Sequence, residues 1–505
     1  MVLERPAYYR ALTARDERFD GVFFVGVTST RIYCRPVCRA KTPQLANCRF
    51  FSNHAAAERA GFRPCLRCRP ELAPGNAPVD ATAVLAGQAT RAIAAGALNG
   101  AGLDALASSL GVTARHLRRA VVQHLGVSPI DLATTHRLLM AKRLLHETSL
   151  SITQVAFASG FESLRRFNDA FKTRYRLAPA SLRREVLSTD AVPVPSMPTM
   201  DGVELSLEYR QPLQWESLLA FLAARATPGA EVVDGAGYAR TVRVNDVVGH
   251  VAVEMREGTR RPALVARISA ALVPVLMPLL AHLRDLFDLD ANPDAIAAHL
   301  VRAGLVESPE SVLGFRVPGC VDGFELAVRA IVGQQVSVRG ATTLMGRFVR
   351  AFGDSYSEAC TARAANDAAS LGLNLVAPTA ARVASLRVAD IAELGMPAKR
   401  AEAILALARA IAGGSLSLAA GGDATASMKA LNALPGVGDW TTQYVAMRAL
   451  RWPDAFPSGD LALRKAVGNL TAPQLLARAE AWRPWRAYAA MHLWRTLSSN
   501  TPNGA

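Results

Sequence analysis

The chain has 505 residues, of which half are apolar and 20% are charged. This length exceeds what one hydrophobic core organises, so about three or four domains are expected. The composition excludes a disordered or fibrous protein. No apolar run reaches the roughly 18 uncharged residues of a membrane span, and the charged N-terminal stretch lacks a signal-peptide core. We therefore expect an intracellular protein with reduced thiols.

The charge balance is strongly basic, with 57 Lys and Arg against 42 Asp and Glu and a net charge of +15 at pH 7. Such a surface attracts polyanions, and nucleic acid is one such partner. A solvated basic surface without a specific partner would give the same count. Charge by itself therefore leaves both interpretations open.

The pattern of apolar residues divides the chain into five segments. Residues 1–76 hold five of the seven cysteines and show little helical period. Over 81–186, apolar residues recur at three- and four-residue spacing, which predicts helices. Residues 187–203 contain three prolines and predict a linker. Strand-like runs surround one helix in 204–286, and a helical pattern returns over 287–500.

Two cysteine pairs mark the first segment. Cys34 and Cys38 form one pair, Cys65 and Cys68 form the other, and 26 residues lie between the pairs. Four thiolates at this spacing suit tetrahedral Zn²⁺, which is the expected cofactor. The site could be purely structural, or one ionised thiolate could act as a nucleophile. Cys48 belongs to neither pair and is expected to be a packed or surface thiol.

Arginines surround both cysteine pairs and could hold a DNA phosphate beside the sulfurs. These residues are Arg35, Arg39, Arg63, Arg67 and Arg69. Transfer of a methyl group to one thiolate would reduce the formal charge of the zinc site from two negative charges to one. Its repulsion of DNA phosphates would fall accordingly.

An internal repeat lies in the second segment. The units at 106–119 and 155–167 each combine a short helix, a glycine (Gly111 or Gly160) and an Arg-rich helix. This is the helix-turn-helix pattern, and two such units can enter successive major-groove segments. The side chains expected to contact DNA are Arg115, Arg118, Arg165 and Arg166. Half of the arginines on these helices could contact only phosphate or solvent.

The stretch FFVGVTSTRIYCRPVCRA, followed by AAERAGFRPCLRCRPE, resembles the N-terminal domain of the Ada alkylation-response family. The resemblance implies that Cys34 takes a methyl group from a DNA methylphosphotriester and that the other three paired cysteines complete the zinc site. The helical repeat resembles an AraC-type DNA-binding domain, as in Ada proteins. The Pro-Cys-His-Arg motif of the second Ada methyltransferase domain is missing from the sequence, so repair of O6-methylguanine is not expected.

The turn LPGVGDW lies between two amphipathic helices in the last segment. A Gly-rich turn that opens a helix presents backbone N–H groups to an anion, so Gly436 and Gly438 are expected to contact DNA phosphate. About 20 residues later, Asp460 begins a helix, where an ordinary N-cap is the simplest role. The hairpin, the loop FPSGD and this carboxylate together are the signature of a superfamily of DNA glycosylases.

The span from about 205 to 497, including LGMPAKRAEAI and WRPWRAYAAMHLW, resembles AlkA-type 3-methyladenine DNA glycosylases. The resemblance implies that Asp460 is the catalytic carboxylate and that Trp440, Tyr444 and Trp494 bind a flipped, cationic purine. Gln335 stands where a wedge residue would fill the gap in the duplex, although AlkA itself has an apolar residue there. The hairpin contains no Lys, so a monofunctional enzyme is expected.

Together these patterns predict a multidomain protein: a small zinc-bound α+β domain, an all-α double helix-turn-helix domain, an α+β subdomain and an all-α helix-hairpin-helix glycosylase domain. The expected partners are alkylated and promoter double-stranded DNA and RNA polymerase, and the chain is expected to be a monomer in the bacterial cytoplasm, associated with the nucleoid. Two alternatives remain: a regulator with a vestigial glycosylase module, and a zinc site that is only structural.

Overall fold

The computed structural model describes residues 5–16, 19–51, 53–73, 84–188, 202–235, 237–256 and 261–500. Most of the linker expected over 187–203, residues 189–201, lies outside the described residues. Among the helices in the described ranges, none is both long enough and apolar enough to cross a membrane.

The first region is a small α+β unit, as expected. Its elements are α1 (Arg5–Ala14), β1 (Phe24–Val27), β2 (Ile32–Cys34), β3 (Cys48–Phe51), α2 (His54–Arg59) and β4 (Arg63–Pro64). The strands form one sheet in the order β3-β1-β2-β4, in which β2 and β4 run parallel. This parallel pairing places the residues after β4 beside the end of β2. The helix α1 was not expected, because its sequence shows little helical period.

The second region is helical and contains two helix-turn-helix units. Its helices are α3 (Val84–Ala94), α4 (Leu103–Ser109), α5 (Ala114–Leu125), α6 (Pro129–Glu147), α7 (Ile152–Ala158), α8 (Leu164–Tyr175) and α9 (Pro179–Ser188). The long helix α6 separates the pair α4–α5 from the pair α7–α8. Gly111 and Gly160 occupy the two turns with φ values of 69° and 86°. Glycine adopts this left-handed conformation without steric cost, which explains the repeated glycine.

The third region is an antiparallel sheet with helices packed beside it. Its elements are β5 (Gly202–Glu208), α10 (Trp215–Ala223), β6 (Glu231–Val233), β7 (Gly237–Val244), β8 (Val247–Met255), β9 (Ala263–Ser269) and α11 (Leu276–Leu286). The strand order is β5-β9-β8-β7-β6, so β5 forms one edge. The strand-like runs of the sequence correspond to β5, β7 and β8.

The fourth region is helical apart from one pair of two-residue strands. Its elements are α12 (Pro293–Arg302), α13 (Gly323–Val332), α14 (Val338–Phe352), β10 (Asp354–Ser355), α15 (Tyr356–Ala359), α16 (Ala362–Ser370), β11 (Leu375–Val376), α17 (Ala380–Ala384), α18 (Val388–Ala392), α19 (Ala398–Ala412), α20 (Ala424–Asn432), α21 (Asp439–Arg448), α22 (Leu461–Ala466), α23 (Ala472–Ala479) and α24 (Arg486–Asn500). The expectation of an all-α domain is therefore correct except for β10 and β11.

The second and third regions share one hydrophobic core. Leu138 and Phe167 from the helices belong to the same buried cluster as Leu205 of β5. Two side chains of α6 also cover the open edge of β5: Arg143 donates to the carbonyl oxygen of Ser206 at 2.6 Å, and Glu147 accepts from the Ser206 N–H at 3.0 Å. These contacts satisfy edge groups that would otherwise pair with another chain. The helix-turn-helix units and the sheet thus form one packed unit.

Candidate metal centre and base-binding site

The four paired cysteines converge on one point beside the small sheet. Cys34 ends β2, and Cys65 directly follows β4, its parallel neighbour. The four Sγ atoms all lie within 4.8 Å of one another. Tetrahedral zinc with Zn–S bonds of about 2.3 Å requires sulfurs about 3.8 Å apart, so the arrangement fits Zn²⁺. The backbone N–H of Arg35 also donates to Cys68 Sγ at 3.4 Å.

The cysteines of the cluster differ in exposure. Cys34, Cys38 and Cys65 are 8%, 7% and 6% exposed, whereas Cys68 is 1% exposed, so exposure sets Cys68 apart but does not distinguish Cys34 from Cys38 and Cys65. Cys48 is buried outside the cluster, and its thiol donates to the Gln44 carbonyl oxygen at 3.3 Å. The expectation of a packed thiol at this position agrees with these contacts.

Two of the five arginines near the cysteines cannot hold a DNA phosphate, contrary to expectation. Arg35 is buried and its Nε donates to Asp20 at 2.8 Å, while a second ion pair joins it to Glu208 at 2.6 Å. Although burial disfavours its charge, these carboxylates raise the pKa of Arg35 above its ordinary value. Arg69 pairs with Glu71 and, at 2.7 Å, with Glu147. The three that remain exposed are Arg39, Arg63 and Arg67.

The arginines expected to contact DNA lie on exposed faces of the two recognition helices. They are Arg115 and Arg118 on α5 and Arg165 and Arg166 on α8. The opposite faces of the helices are buried through Leu117 and Phe167. Thr113 and Ser163 cap the N-termini of α5 and α8 with their hydroxyl groups. Both helices therefore present basic side chains to solvent, and Arg115 and Arg165 stand at equivalent positions, two residues after the N-cap.

Asp460 lies at the start of α22, and three donors point at its carboxylate. The indole Nε1 of Trp440 donates to Oδ2 at 2.9 Å, and the indole Nε1 of Trp494 donates to Oδ1 at 3.0 Å. The backbone N–H of Leu463 donates to the same Oδ1 at 2.9 Å. The carboxylate is therefore both a helix cap and the shared acceptor of two aromatic side chains. Neither role excludes the other.

The three expected aromatic residues form one cluster beside this carboxylate. The rings of Trp440 and Tyr444 stack with centroids 5.4 Å apart, and Trp494 lies 6.2 Å from Tyr444. Arg448 Nη1 donates to the Tyr444 hydroxyl at 2.8 Å. Although burial raises the pKa of Tyr444, the guanidinium groups of Arg448 and Arg225 lower it below its ordinary value. Tyr444 is thus fixed in orientation by a charged donor.

The hairpin before α21 is braced by a residue that the sequence analysis did not single out. Gln334 Nε2 donates to the Gly436 carbonyl oxygen and to Thr441 Oγ1, each at 3.0 Å. Gly436 has φ 74°, and Gly438 is the N-cap of α21. Next to Gln334, the exposed Gln335 has φ 55°, which is uncommon for a residue with a side chain. Gln335 is thus an exposed residue directly after the one that contacts the hairpin.

Four family models match consecutive parts of the chain. They are the metal binding domain of Ada over residues 7–71, a helix-turn-helix domain over 106–185, the AlkA N-terminal domain over 204–322 and the HhH-GPD superfamily base excision DNA repair protein over 328–485. The matches follow the four regions of the structure in order. They confirm the expected fold class and the zinc-binding character of the cysteine cluster.

Curated relatives cover the whole chain or its parts. A protein of Mycobacterium tuberculosis named "Probable bifunctional transcriptional activator/DNA repair enzyme AlkA" is 38% identical, and the alignment covers 97% of this chain and 96% of that one. "DNA-3-methyladenine glycosylase 2" of Escherichia coli is 36% identical over 58% of this chain and 96% of its own. "Bifunctional transcriptional activator/DNA repair enzyme Ada" of Escherichia coli is 46% identical over 13% of this chain and 18% of its own.

These findings confirm the resemblances to Ada and AlkA that the sequence motifs indicated. The Mycobacterium tuberculosis relative aligns with this chain over nearly the whole length of both proteins. The chain therefore belongs to the family of bifunctional transcriptional activators and DNA repair enzymes in which Ada-type metal-binding and helix-turn-helix domains precede an AlkA-type helix-hairpin-helix glycosylase.

Proposed function

We propose that this protein repairs alkylated DNA by two reactions and activates transcription in response. The C-terminal half hydrolyses the N-glycosidic bond of alkylated purines such as 3-methyladenine. The N-terminal domain transfers a methyl group from a DNA methylphosphotriester to Cys34, and the helix-turn-helix units bind promoter DNA. The observation that carries the glycosylase assignment is the carboxylate of Asp460, which faces two indoles beside a helix-hairpin-helix.

In the glycosylase reaction, Asp460 is the catalytic carboxylate. The target nucleotide leaves the duplex before reaction, and its cationic base meets the aromatic faces of Trp440, Tyr444 and Trp494. The carboxylate stabilises positive charge that develops on the sugar as the bond breaks, and it positions the attacking water. The stretch 434–443 contains no Lys, so no Schiff-base intermediate forms there and the enzyme is monofunctional.

The hairpin and its neighbours hold the duplex during this reaction. Backbone N–H groups at Gly436 and Gly438 face a phosphate at the start of α21. Gln335 enters the space that the flipped base leaves. Its exposed position and positive φ support this role, because a strained backbone persists where surrounding contacts impose it. Gln334 fixes the hairpin against this turn.

In the methyl-transfer reaction, Cys34 is the nucleophile. Zn²⁺, when bound by Cys34, Cys38, Cys65 and Cys68, keeps the thiolates ionised at neutral pH. The Cys34 sulfur attacks the methyl carbon, an S–C bond forms, and the C–O bond breaks. The electron pair of that bond leaves with the phosphodiester, which becomes an anion. The acceptor is consumed, because Cys34 ends as a thioether.

Methylation then strengthens promoter binding. The sulfur site loses one negative charge, so it repels DNA phosphates less. Arg115, Arg118, Arg165 and Arg166 contact the promoter, and the protein acts as a monomer on the bacterial nucleoid. As an activator it contacts RNA polymerase, and the exposed apolar side chains of Ile130 and Phe157 on the DNA-binding region support a protein contact.

One experiment tests both chemical steps. DNA carrying methylphosphotriesters and 3-methyladenine is incubated with the wild-type protein and with Cys34→Ser. Mass spectrometry should find a single added methyl group on Cys34, and chromatography should find free 3-methyladenine. The Cys34→Ser protein should release the base and accept no methyl group. A methyl group on another cysteine would contradict the acceptor assignment. The absence of free 3-methyladenine would indicate a vestigial glycosylase module.

A further inference from the structure

The five-stranded sheet of the glycosylase half reaches the zinc-binding loop, here residues 34–38 and 65–68, through a buried cluster of charges. Arg35, the residue after Cys34, lies between Asp20 of its own domain and Glu208 at the end of β5. All three residues are buried: Arg35 is 1% exposed, Asp20 is 7% exposed and Glu208 is 6% exposed. A buried guanidinium group destabilises the fold unless carboxylates such as these compensate its charge. One of them comes from the glycosylase half of the chain.

An arginine of the glycosylase half also contacts the zinc-binding loop itself. Arg261 Nη1 donates to the carbonyl oxygen of Cys68 at 2.6 Å and lies 3.6 Å from Glu208 Oε1. Arg210 Nε also donates to the carbonyl oxygen of Asp20 at 3.2 Å. A cationic group from the glycosylase half is therefore held against a zinc ligand, and Glu208 partly neutralises it.

We propose that Glu208 and Arg261 are positioning residues for methyl transfer, through which the glycosylase subdomain sets the nucleophilicity of the Cys34 sulfur. The proposal rests on the function proposed above for Cys34. It assigns to the AlkA N-terminal region a part in the chemistry of the Ada-type site. The glycosylase half then acts on methyl transfer through direct contacts with the zinc-binding domain.

The two residues should act with opposite signs. A positive charge near a thiolate stabilises its anionic ground state, and nucleophilicity falls as the thiolate is stabilised. Arg261 therefore slows methyl transfer, while Glu208 offsets Arg261 and Arg35 and speeds it. If these contacts were only structural, either substitution would disturb the site, and methyl transfer would be slower in both variants. The sign of the effect separates electrostatic tuning from loss of structure.

The test measures the methylation rate of Cys34 in the full-length, zinc-loaded protein. Methyl iodide is the donor, because it is neutral and needs no DNA binding: the sulfur displaces iodide, which leaves with the electron pair. The variants are Glu208→Gln and Arg261→Gln. Burial raises the pKa of Glu208 although Arg35 and Arg261 lower it, so the rates are measured at several pH values up to about pH 8, above the ordinary range of a carboxyl.

Matched controls lie on the same sheet. Glu204 is also on β5 and pairs with Arg256 at 2.8 Å, on a more exposed part of the surface. Glu204→Gln and Arg256→Gln therefore repeat both charge changes away from the zinc-binding loop. Zinc content and melting temperature of each variant show whether the site is intact.

We expect Glu208→Gln to slow methylation about three- to fivefold and Arg261→Gln to accelerate it by a similar factor. Both control variants should react at the wild-type rate. Slowing in both test variants, or no change in either, overturns the proposal while leaving Cys34 as the acceptor. A wild-type protein that DNA methylphosphotriesters do not methylate at Cys34 refutes the proposed acceptor function itself.

Discussion

Asp460 and Trp440 are joined by a hydrogen bond of 2.9 Å between a carboxylate oxygen and the indole N–H. The bond matters because Trp440 also stacks on Tyr444. One aromatic side chain therefore contacts both the carboxylate and the surface on which the base would stack. Trp494 likewise donates to the other carboxylate oxygen and lies beside Tyr444. In the proposed mechanism, the carboxylate and the base-binding surface are therefore held in fixed relative positions before DNA binds.

Replacement of Asp460 by Asn should abolish most base excision. The amide keeps the shape of the side chain but removes the negative charge that offsets the developing charge on the sugar. It also places an NH₂ group opposite one of the indole donors, which leaves that donor unpaired. A loss of about 3 kcal/mol in transition-state stabilisation corresponds to roughly a hundredfold lower rate. Single-turnover release of 3-methyladenine measures this change.

The matched control for that variant is Asp423→Asn. Asp423 is the N-cap of α20 and accepts the Ala426 N–H at 3.0 Å, so it repeats the capping role without the indole contacts. The control should excise at the wild-type rate. Both variants should bind DNA as the wild type does in a gel-shift assay. If Asp460→Asn excised the base at the rate of the control variant, Asp460 would act only as a helix cap.

Replacement of Trp494 by Phe should separate hydrogen bonding from stacking. Phenylalanine keeps an aromatic face but cannot donate to Asp460, so the carboxylate loses one of its fixed donors. A single hydrogen bond to a charged group contributes about 1.5 kcal/mol, which predicts roughly a tenfold lower excision rate. Trp452→Phe is the control, because Trp452 lies at the surface. Equal rates for both variants would show that only the ring of Trp494 matters.

Zinc binding should depend on the four clustered cysteines and not on Cys48. Cys68→Ala removes a ligand from the tetrahedral site, and the remaining three thiolates would bind Zn²⁺ much more weakly. Cys48→Ala removes an equally buried thiol that lies outside the cluster. Metal analysis of the purified proteins should find one Zn²⁺ per chain in Cys48→Ala and a large loss in Cys68→Ala. Loss of zinc in both variants would contradict the ligand assignment.

The sequence predicted the features that depend on local spacing. The residues that form each cysteine pair, each helix-turn-helix turn and the hairpin before Trp440 lie within a few positions of one another. A sequence motif therefore describes each of these features completely. The pairing of Asp460 with the hairpin was also predictable, because the superfamily keeps both elements at a short separation. The helical and mixed regions after residue 81 followed from apolar periodicity, except for β10 and β11, whereas the zinc domain was identified through its cysteine pairs and the resemblance to Ada, and its helix α1 was not expected.

Features that depend on distant parts of the chain were not predictable. Arg35 was expected to face DNA, but its partner Glu208 lies 173 residues away and reverses that expectation. Gln334 contacts Gly436 from a separation of 102 residues. No local pattern marks either contact, since a charge or an amide is equally common on exposed surfaces. Only the packing of the sheet against the zinc-binding loop determines which arginines remain free for phosphate.

Glu58 should make the stability of the N-terminal half depend on pH. It is buried between the zinc domain and the DNA-binding helices, where Tyr33 donates to it at 2.9 Å and Arg174 lies at 3.2 Å. Burial raises its pKa to about 7, although Arg174 and Tyr33 lower it. A carboxyl whose pKa is higher in the folded than in the unfolded state stabilises the fold at low pH. That stability is lost as the pH rises from about 4.5 to about 7.

Replacement of Glu58 by Gln should remove this dependence, because glutamine resembles the protonated carboxyl at every pH. The variant should match the wild type at about pH 4.5 and become more stable than it by up to about 3 kcal/mol at about pH 8. Comparison of the two proteins cancels the opposite effect of the buried His54 and His136, whose pKa values burial lowers. Unfolding at several pH values measures the difference, and Glu216→Gln on the exposed face of α10 provides the control. A difference that does not change with pH would mean that Arg174 keeps Glu58 ionised throughout.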